Sequence, residues 1–369
     1  MKFKNANVLI GNQFIEYTSF VIQKGVFTEV NEGKSFAEGE DAVDLQSDYV
    51  VPGLIDLQLY GVEGYFFGGE PTVENLRGME DDLLSRGVTG FLATVATSTD
   101  DIVLKAIAAA KDFRVHSKGA FLGLHLEGPF LNPKKRGAHP ESLIRKAKLE
   151  EVKHWVKLAE GEIKMMTVAP ELQDEEVLSY LQQNGIILSA GHSNATFAEA
   201  ESFLNKTITA GTHLFNAMTA LHHREPGLVA SIFEKRIFSS IIPDGIHVDY
   251  AIVKLAKREL ENRLFIITDR VASSSSGIYR HKFKGDHYAM PDGTLSGSAL
   301  YLLEAVKNCV QFVGIPLGES FAMASDYPAQ VIGLEKRIGN IKKEASADFI
   351  VLNKELQIKE IWFRGELLT

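Results

Sequence analysis

The stretch AFLGLHLEGPFLN, residues 120–132, decides how this chain is read. Its first seven residues form a short, almost wholly apolar run, the pattern of a strand covered on both faces. The run stops at a carboxylate, Glu127, and Gly128–Pro129 then turns the chain away. Working outward, the same unit recurs. Apolar runs stand at Leu54–Leu59, Thr89–Val95, Ala120–Leu126, Ile163–Val168, Ile186–Ser189, Thr212–Phe215, Phe238–Ile242 and Leu264–Thr268. Amphipathic stretches rich in Ala, Leu, Glu and Lys separate them, among them Val73–Ser85, Asp101–Asp112 and Leu149–Ala159. Eight strands alternating with helices over residues 52–342 predict an α/β protein built as a (β/α)8 TIM-type barrel. An open doubly wound sheet has the same periodicity and stays open at this point. The positions of the polar residues favour the barrel. Gln58, Thr94, His125, Glu127, His192, His213, Asp244 and Asp269 cluster at the C-terminal ends of the runs, where barrel active sites lie.

The two ends of the chain have another texture. Asn7–Ile10, Phe14–Ile15, Ser19–Gln23 and Val26–Val30 read as short strands broken at Gly11 and Gly25. Ala347–Leu352 and Ile358–Phe363 repeat that pattern near the C-terminus, so residues 1–51 and 343–369 are expected to form one small β-sandwich domain beside the barrel. The net charge of −9 argues against non-specific nucleic-acid binding, and an anionic substrate would need a local basic cluster. Cys309 is the only cysteine, which excludes an intramolecular disulfide and a cysteine-based zinc site and fits a reducing cytoplasm. No apolar segment has the length of a signal-peptide core or a membrane span, so a cytoplasmic protein is expected.

Glu127, His192 and His213 each follow a short apolar run. Singly, each reads as a hydrogen-bonded structural residue. Together at one barrel mouth they would repel or desolvate one another unless a cation lay between them. Two imidazoles and a carboxylate are what a catalytic divalent metal with an open coordination position requires. Asp269, after the last run, has the chemistry of a proton-transfer partner.

Seven motifs then carry a resemblance: PGLIDLQLYG (52–61), HLEGPFLNPKKRGAH (125–139), AGHSNAT (190–196), THLFNAMTALHHREPGL (212–228), PDGIHVD (243–249), ITD (267–269) and GTLSGSAL (293–300). In this order they resemble the N-acetylglucosamine-6-phosphate deacetylase family of the amidohydrolase superfamily, across nearly the whole chain. The resemblance implies a hydrolase that removes the acetyl group from an amino-sugar phosphate, with Asp269 as general base and then general acid. It implies that His139 contacts the scissile amide. Further substrate contacts would come from Ala138, Asn216, Ala217, Arg224, Asp244, His247 and the Leu295–Ser296–Gly297 loop. It also implies a homodimer in which Arg224 and His247 reach the neighbouring site. His222 and His223 match no family ligand and read as surface or interface residues. Lys134–Lys135–Arg136 reads as a solvated loop, or as a run that steers an anion to the pocket.

Two departures qualify the picture. Most of the superfamily carries His-x-His at the end of the first strand, whereas this chain has Gln58-Leu59-Tyr60. Gln and Tyr are poor ligands for a borderline ion, so one divalent metal per subunit is expected, Zn²⁺ first and Fe²⁺ as the alternative. After Asp269 the chain reads Arg270-Val271-Ala272 and then four serines, Ser273 to Ser276, a stretch expected to be mobile. A cation at Arg270 would keep Asp269 ionised and make it a poorer acid, unless the side chain points away. Other epimers of the N-acetylhexosamine phosphate, and a non-catalytic scaffold or sensor on the same barrel, remain as alternatives.

Overall fold

The structure, a computed structural model, describes residues 1–36, 41–275 and 277–368. Ser276 of the serine run lies outside the described residues, as do residues 37–40 and 369 of the expected β domain. The barrel has eight strands, and seven of the eight predicted runs overlap theirs: Leu54–Leu59, Val88–Ala96, Phe121–Glu127, Ile163–Val168, Ile187–Ala190, Ala210–Gly211, Phe238–Ile241 and Leu264–Ile266. They pair in chain order, every neighbour parallel. The sixth is the correction, since it occupies Ala210–Gly211 and not Thr212–Phe215. His213 and Phe215 have φ of 35° and 77°, a left-handed backbone that a strand does not contain, so those apolar letters belong to a turn.

The ring closes just past the last strand. The Asp269 amide donates to the Gln58 carbonyl (2.9 Å) and the Tyr60 amide to the Arg270 carbonyl (2.8 Å). That seam excludes the open doubly wound sheet. Each strand is followed by a helix, from Val73–Ser85 to Leu302–Asn308. The first shows why they form. Thr72 caps it by accepting from the Asn75 amide at 3.1 Å, and Leu76, Met79 and Leu83 recur at helical spacing on the buried face. Burying each stabilises the wall by about 1.5–3 kcal/mol relative to exposure.

The terminal segments form one mixed eight-stranded sheet, with Lys2–Ile10 and Gln13–Gln23 as long strands where shorter pieces were expected. Strand Val26–Asn31 lies four places from strand Phe349–Leu352 in this sheet, about 19 Å away if the sheet were flat. Yet Phe27 and Phe349 have ring centroids 5.9 Å apart, around a core that also holds Phe3, Phe20 and Trp362. The sheet therefore rolls over onto itself, as a sandwich does. Among the described residues no helix is long and apolar enough to cross a membrane.

Candidate active site

Four of the expected residues sit where the backbone turns sharply inward beyond the strands. His192, His213 and Asp269 have φ of 47°, 35° and 53°, and Ala217 has 50°. Such conformations cost a non-glycine residue about 1–3 kcal/mol each and persist where the surroundings over-determine them. Here they aim side chains at the barrel axis. Glu127 Oε1 lies 2.9 Å from His213 Nε2 and 3.4 Å from His192 Nε2, and the two Nε2 atoms are 3.2 Å apart. A tetrahedral ion with bonds of about 2.05 Å has ligand-to-ligand edges of about 3.3 Å, so this triangle has the right size.

Protonation separates the ligands from their neighbour. His192 Nδ1 is 2.8 Å from the Lys135 carbonyl, which can only accept, so Nδ1 carries the proton and Nε2 offers a bare lone pair. Glu127, His139 and His192 also bring ligand atoms within 4.8 Å of one another. His139 differs, however. The Thr97 amide points at its Nδ1 (3.4 Å), with Thr97 Oγ1 at 2.8 Å, which assigns the proton to Nε2, 3.2 Å from Glu127 Oε2. His139 thus faces the site as a donor, and the Glu127, His192 and His213 set fits a divalent ion better. His213 Nδ1, the nitrogen turned away from the cluster, is buried without a hydrogen-bond partner among the described residues.

Electrostatics follow from the crowding. Burial by itself would raise Glu127, but the close imidazoles of His139, His192 and His213 outweigh it and hold the carboxyl well below the usual range. Burial pushes Asp269 up to about 6, the Glu127 charge adds to this, and the nearby histidines oppose it. Burial pushes His139 down to about 4. Burial and the charges of Glu127 and Asp269 keep the Tyr60 hydroxyl protonated, and it donates to Glu127 Oε2. Gln58 Nε2 donates to Glu127 Oε1 (2.9 Å) and to Asp269 Oδ1 (2.8 Å). The two residues standing where His-x-His is usual therefore act as donors to carboxylates.

Glu127, Ala138, His139, His192, His213, Asn216, Ala217, His247, Asp269, Leu295, Ser296 and Gly297 all line one cleft of about 180 Å³. Gly297 has φ of 127°, and a Cβ there would meet the Asp269 carbonyl at 2.9 Å, so only glycine lets this loop lie against Asp269. A larger cavity, about 710 Å³, opens at the N-terminal strand ends between barrel and terminal sheet. Mixed surface charges line it with no convergent catalytic set, and barrel chemistry belongs to the opposite face.

A sequence profile of the amidohydrolase family matches residues 49–368. The N-acetylglucosamine-6-phosphate deacetylase of Haemophilus influenzae is 31% identical over 97% of this chain and 97% of its own length. The human protein of that name is 32% identical over 100% of this chain and 95% of its own. The chain belongs to the N-acetylglucosamine-6-phosphate deacetylase family of amidohydrolases. The crystal structure of the Pasteurella multocida deacetylase superposes with a TM-score of 0.93 at 31% identity, covering 100% of this chain and 99% of that one. An aspartate-to-alanine variant of the Mycobacterium smegmatis deacetylase, solved with N-acetyl-D-glucosamine-6-phosphate, gives 0.90 at 27% identity, covering 100% and 98%.

The other expected residues take these places. His247 lines its own chain's cleft, where Asp244 Oδ2 holds its Nδ1 at 2.6 Å. Asp244 is not among the cleft-lining residues; it also accepts from the Ile246 and His247 amides and so shapes the turn behind His247. Arg224 is exposed and outside this chain's cleft. His125 is a barrel pillar between the Leu57 carbonyl and Thr167 Oγ1, and Thr94 Oγ1 accepts from the Leu59 amide. Arg270 points away from Asp269: its guanidinium donates to the Ala299 carbonyl and lies 3.7 Å from the Tyr301 ring centroid. Sequence reading missed Phe66, Tyr279 and His281, which complete the cleft wall. Tyr279 and His281 follow the serine run, and no local periodicity betrays a short flap folding back over a barrel mouth.

Proposed function

We propose that this deacetylase-family chain hydrolyses the N-acetyl group of N-acetylglucosamine 6-phosphate, giving glucosamine 6-phosphate and acetate. The observation that carries the reading is the triangle of Glu127 Oε1 and two Nε2 atoms, with Asp269 tied to the same Gln58 amide. One divalent ion, zinc or else iron, would be held by Glu127, His192 and His213. When bound it supplies Lewis acidity, acidifying water and polarising the amide carbonyl. Asp269 Oδ1 is occupied by Gln58, while Oδ2 has no hydrogen-bond partner among the described residues. Oδ2 is thus the atom that takes the proton from the attacking water and returns it to the departing amine. The His139 Nε2–H donates to the carbonyl oxygen as negative charge develops there. Asn216, the Ala217 backbone and His247 bind at the phosphate and sugar end. Arg224 of a second copy of the chain completes the phosphate grip, which makes the working unit a homodimer. Residues 52–342 form the catalytic domain and residues 1–51 with 343–369 the flanking β domain. Their two hydrophobic cores, the smaller one around Phe3 and Phe349, support this division.

The test is acetate release from a panel of N-acetylhexosamine 6-phosphates, with and without chelator, alongside metal analysis. Release from the gluco epimer that chelation abolishes, with one metal equivalent per chain, is expected. No release removes the function, chelator-insensitive release removes the metal, and two equivalents remove the mononuclear site.

A further inference from the structure

The cleft wall contains a further histidine, outside the metal-type cluster, that nothing above uses. His281 is 5% exposed and lines the cleft. Its Nδ1 is 2.9 Å from Ser296 Oγ, while Nε2 has no hydrogen-bond partner among the described residues. The ring is clamped on two sides. Tyr279 stacks on it with centroids 5.7 Å apart at 12°, and Phe66 meets it edge-on at 5.2 Å and 81°. Its backbone is tied as well, since the His281 carbonyl accepts from the Ser274 amide at 3.1 Å. The flanking strands Lys282–Phe283, His287–Ala289 and Leu295–Ser298 form a small antiparallel sheet that presents His281 and Ser296 side by side.

The same wall runs back to the scissile amide. Tyr279 lies edge-on to His139 with centroids 6.3 Å apart, and its hydroxyl donates at 2.8 Å to the carbonyl of Thr97, the residue that also orients His139. His281 is therefore two aromatic spacings from the group assigned to the amide carbonyl. A hexose whose 2-acetamido group sits at His139 carries hydroxyls on the ring carbons beside it. Burial pushes His281 down to about 4, so the ring is neutral at working pH and carries one donor and one acceptor nitrogen. The Ser296 hydroxyl can donate or accept, so Nε2 can meet a sugar hydroxyl in either sense.

We infer that His281, backed by Ser296, is a specificity-determining residue whose Nε2 hydrogen-bonds one unphosphorylated ring hydroxyl of the amino-sugar substrate. This rests on the deacetylase reading. It adds a hydroxyl-reading edge to a site whose other assigned groups address the amide and the phosphate-bearing end of the sugar. A buried polar atom left unpaired discriminates strongly against an analogue lacking its partner. Phe at this position would keep the aromatic clamp and lose that discrimination.

The experiment measures kcat and KM for the wild type, His281→Phe and His281→Gln on N-acetylglucosamine 6-phosphate and its 3-deoxy, 4-deoxy and 1-deoxy analogues. In the wild type one analogue should fall by about tenfold or more in kcat/KM. In His281→Phe the parent should fall by a similar factor, carried by KM, and that analogue should then match the parent. His281→Gln, which keeps a donor and an acceptor, should restore part of the preference. A structural role would lower all four substrates together or change kcat. If His281→Phe keeps the wild-type pattern of deoxy sensitivity, the inference is overturned and the deacetylase reading stands. If the wild type releases no acetate from the parent, both fall. Should His281→Phe not fold, Ser296→Ala provides the same comparison, with the same deoxy preference weakened, and an unchanged preference counts against the inference.

Discussion

Replacing Asp269 by asparagine separates chemistry from architecture. The two side chains have the same shape, and asparagine tolerates the left-handed backbone, φ of 53°, that the position demands. Gln58 Nε2, 2.8 Å from Oδ1, can keep its bond to the asparagine oxygen, so the seam that closes the barrel is undisturbed. What disappears is the atom that moves the proton. A positioned general acid–base contributes about 10²–10⁴ in rate, and here one group serves both transfers, so a loss of about 10³–10⁴ in kcat is expected, about 4–5.5 kcal/mol. Stability should move the opposite way. Burial and the Glu127 charge displace Asp269 from 3.8 to about 6, equivalent to about 3 kcal/mol in metal-free protein. The sign follows from the proton count. With its folded value raised, the wild type is most stable below pH 3.8 and loses that contribution as pH rises through about 6. Asparagine cannot ionise, so its advantage in the chelator-stripped protein should be small near pH 4.5 and full at pH 8. Steady-state kinetics, metal content and urea melts at both pH values read all three quantities. Turnover within tenfold of wild type, with metal and fold intact, would refute Asp269 as the proton carrier. Equal melts at pH 8 would refute the electrostatic argument alone.

Two further outcomes follow from other parts of the molecule. Arg224→Ala should raise KM for the phosphorylated substrate by about 100-fold with little change in kcat, as loss of a charge-assisted bidentate contact requires. Co-expression with Asp269→Asn should then recover activity, because a mixed dimer holds one complete site; no recovery would show that Arg224 serves its own chain. Glu80, on the first helix and buried against the start of the third barrel strand, accepts from Ser117 Oγ and from the amides of Lys118, Gly119, Ala120 and Phe121 at 2.6–3.2 Å. Glu80→Ala strands these donors and should cost about 3 kcal/mol or more in urea unfolding while KM stays unchanged; a loss under about 1 kcal/mol would count against it.

Much of the site was legible because barrel geometry converts strand order into convergence. Once eight runs were counted, Glu127, His192, His213 and Asp269 had to approach one axis, whatever separates them along the chain. The Gln58 and Tyr60 substitution was visible as a loss of ligands, but their gain as donors was not. That depends on where two carboxylates come to rest. The sixth run was misplaced for a related reason: apolar letters say that Leu214 and Phe215 avoid water, not that their backbone is extended.

Sequence alone determined the α/β class, the alternation of eight strands with helices, the terminal β strands and the identity of the metal-type residues, since hydrophobic period and residue chemistry are local properties; closure into a barrel was decided by the seam between the first strand and Asp269–Arg270. Tertiary structure decided the rest. Which nitrogen of His139 or His192 bears the proton depends on Thr97 and Lys135, distant in the chain and adjacent in space. His247 lines its own chain's cleft, where Asp244 pins it, and Arg270 is harmless because Tyr301 and Ala299 draw it aside. His281 became a reader of the cleft only when the flap folded over the barrel mouth. Each of these is a hydrogen bond or a stacking contact between remote residues, and such contacts are set by packing, which no local pattern encodes.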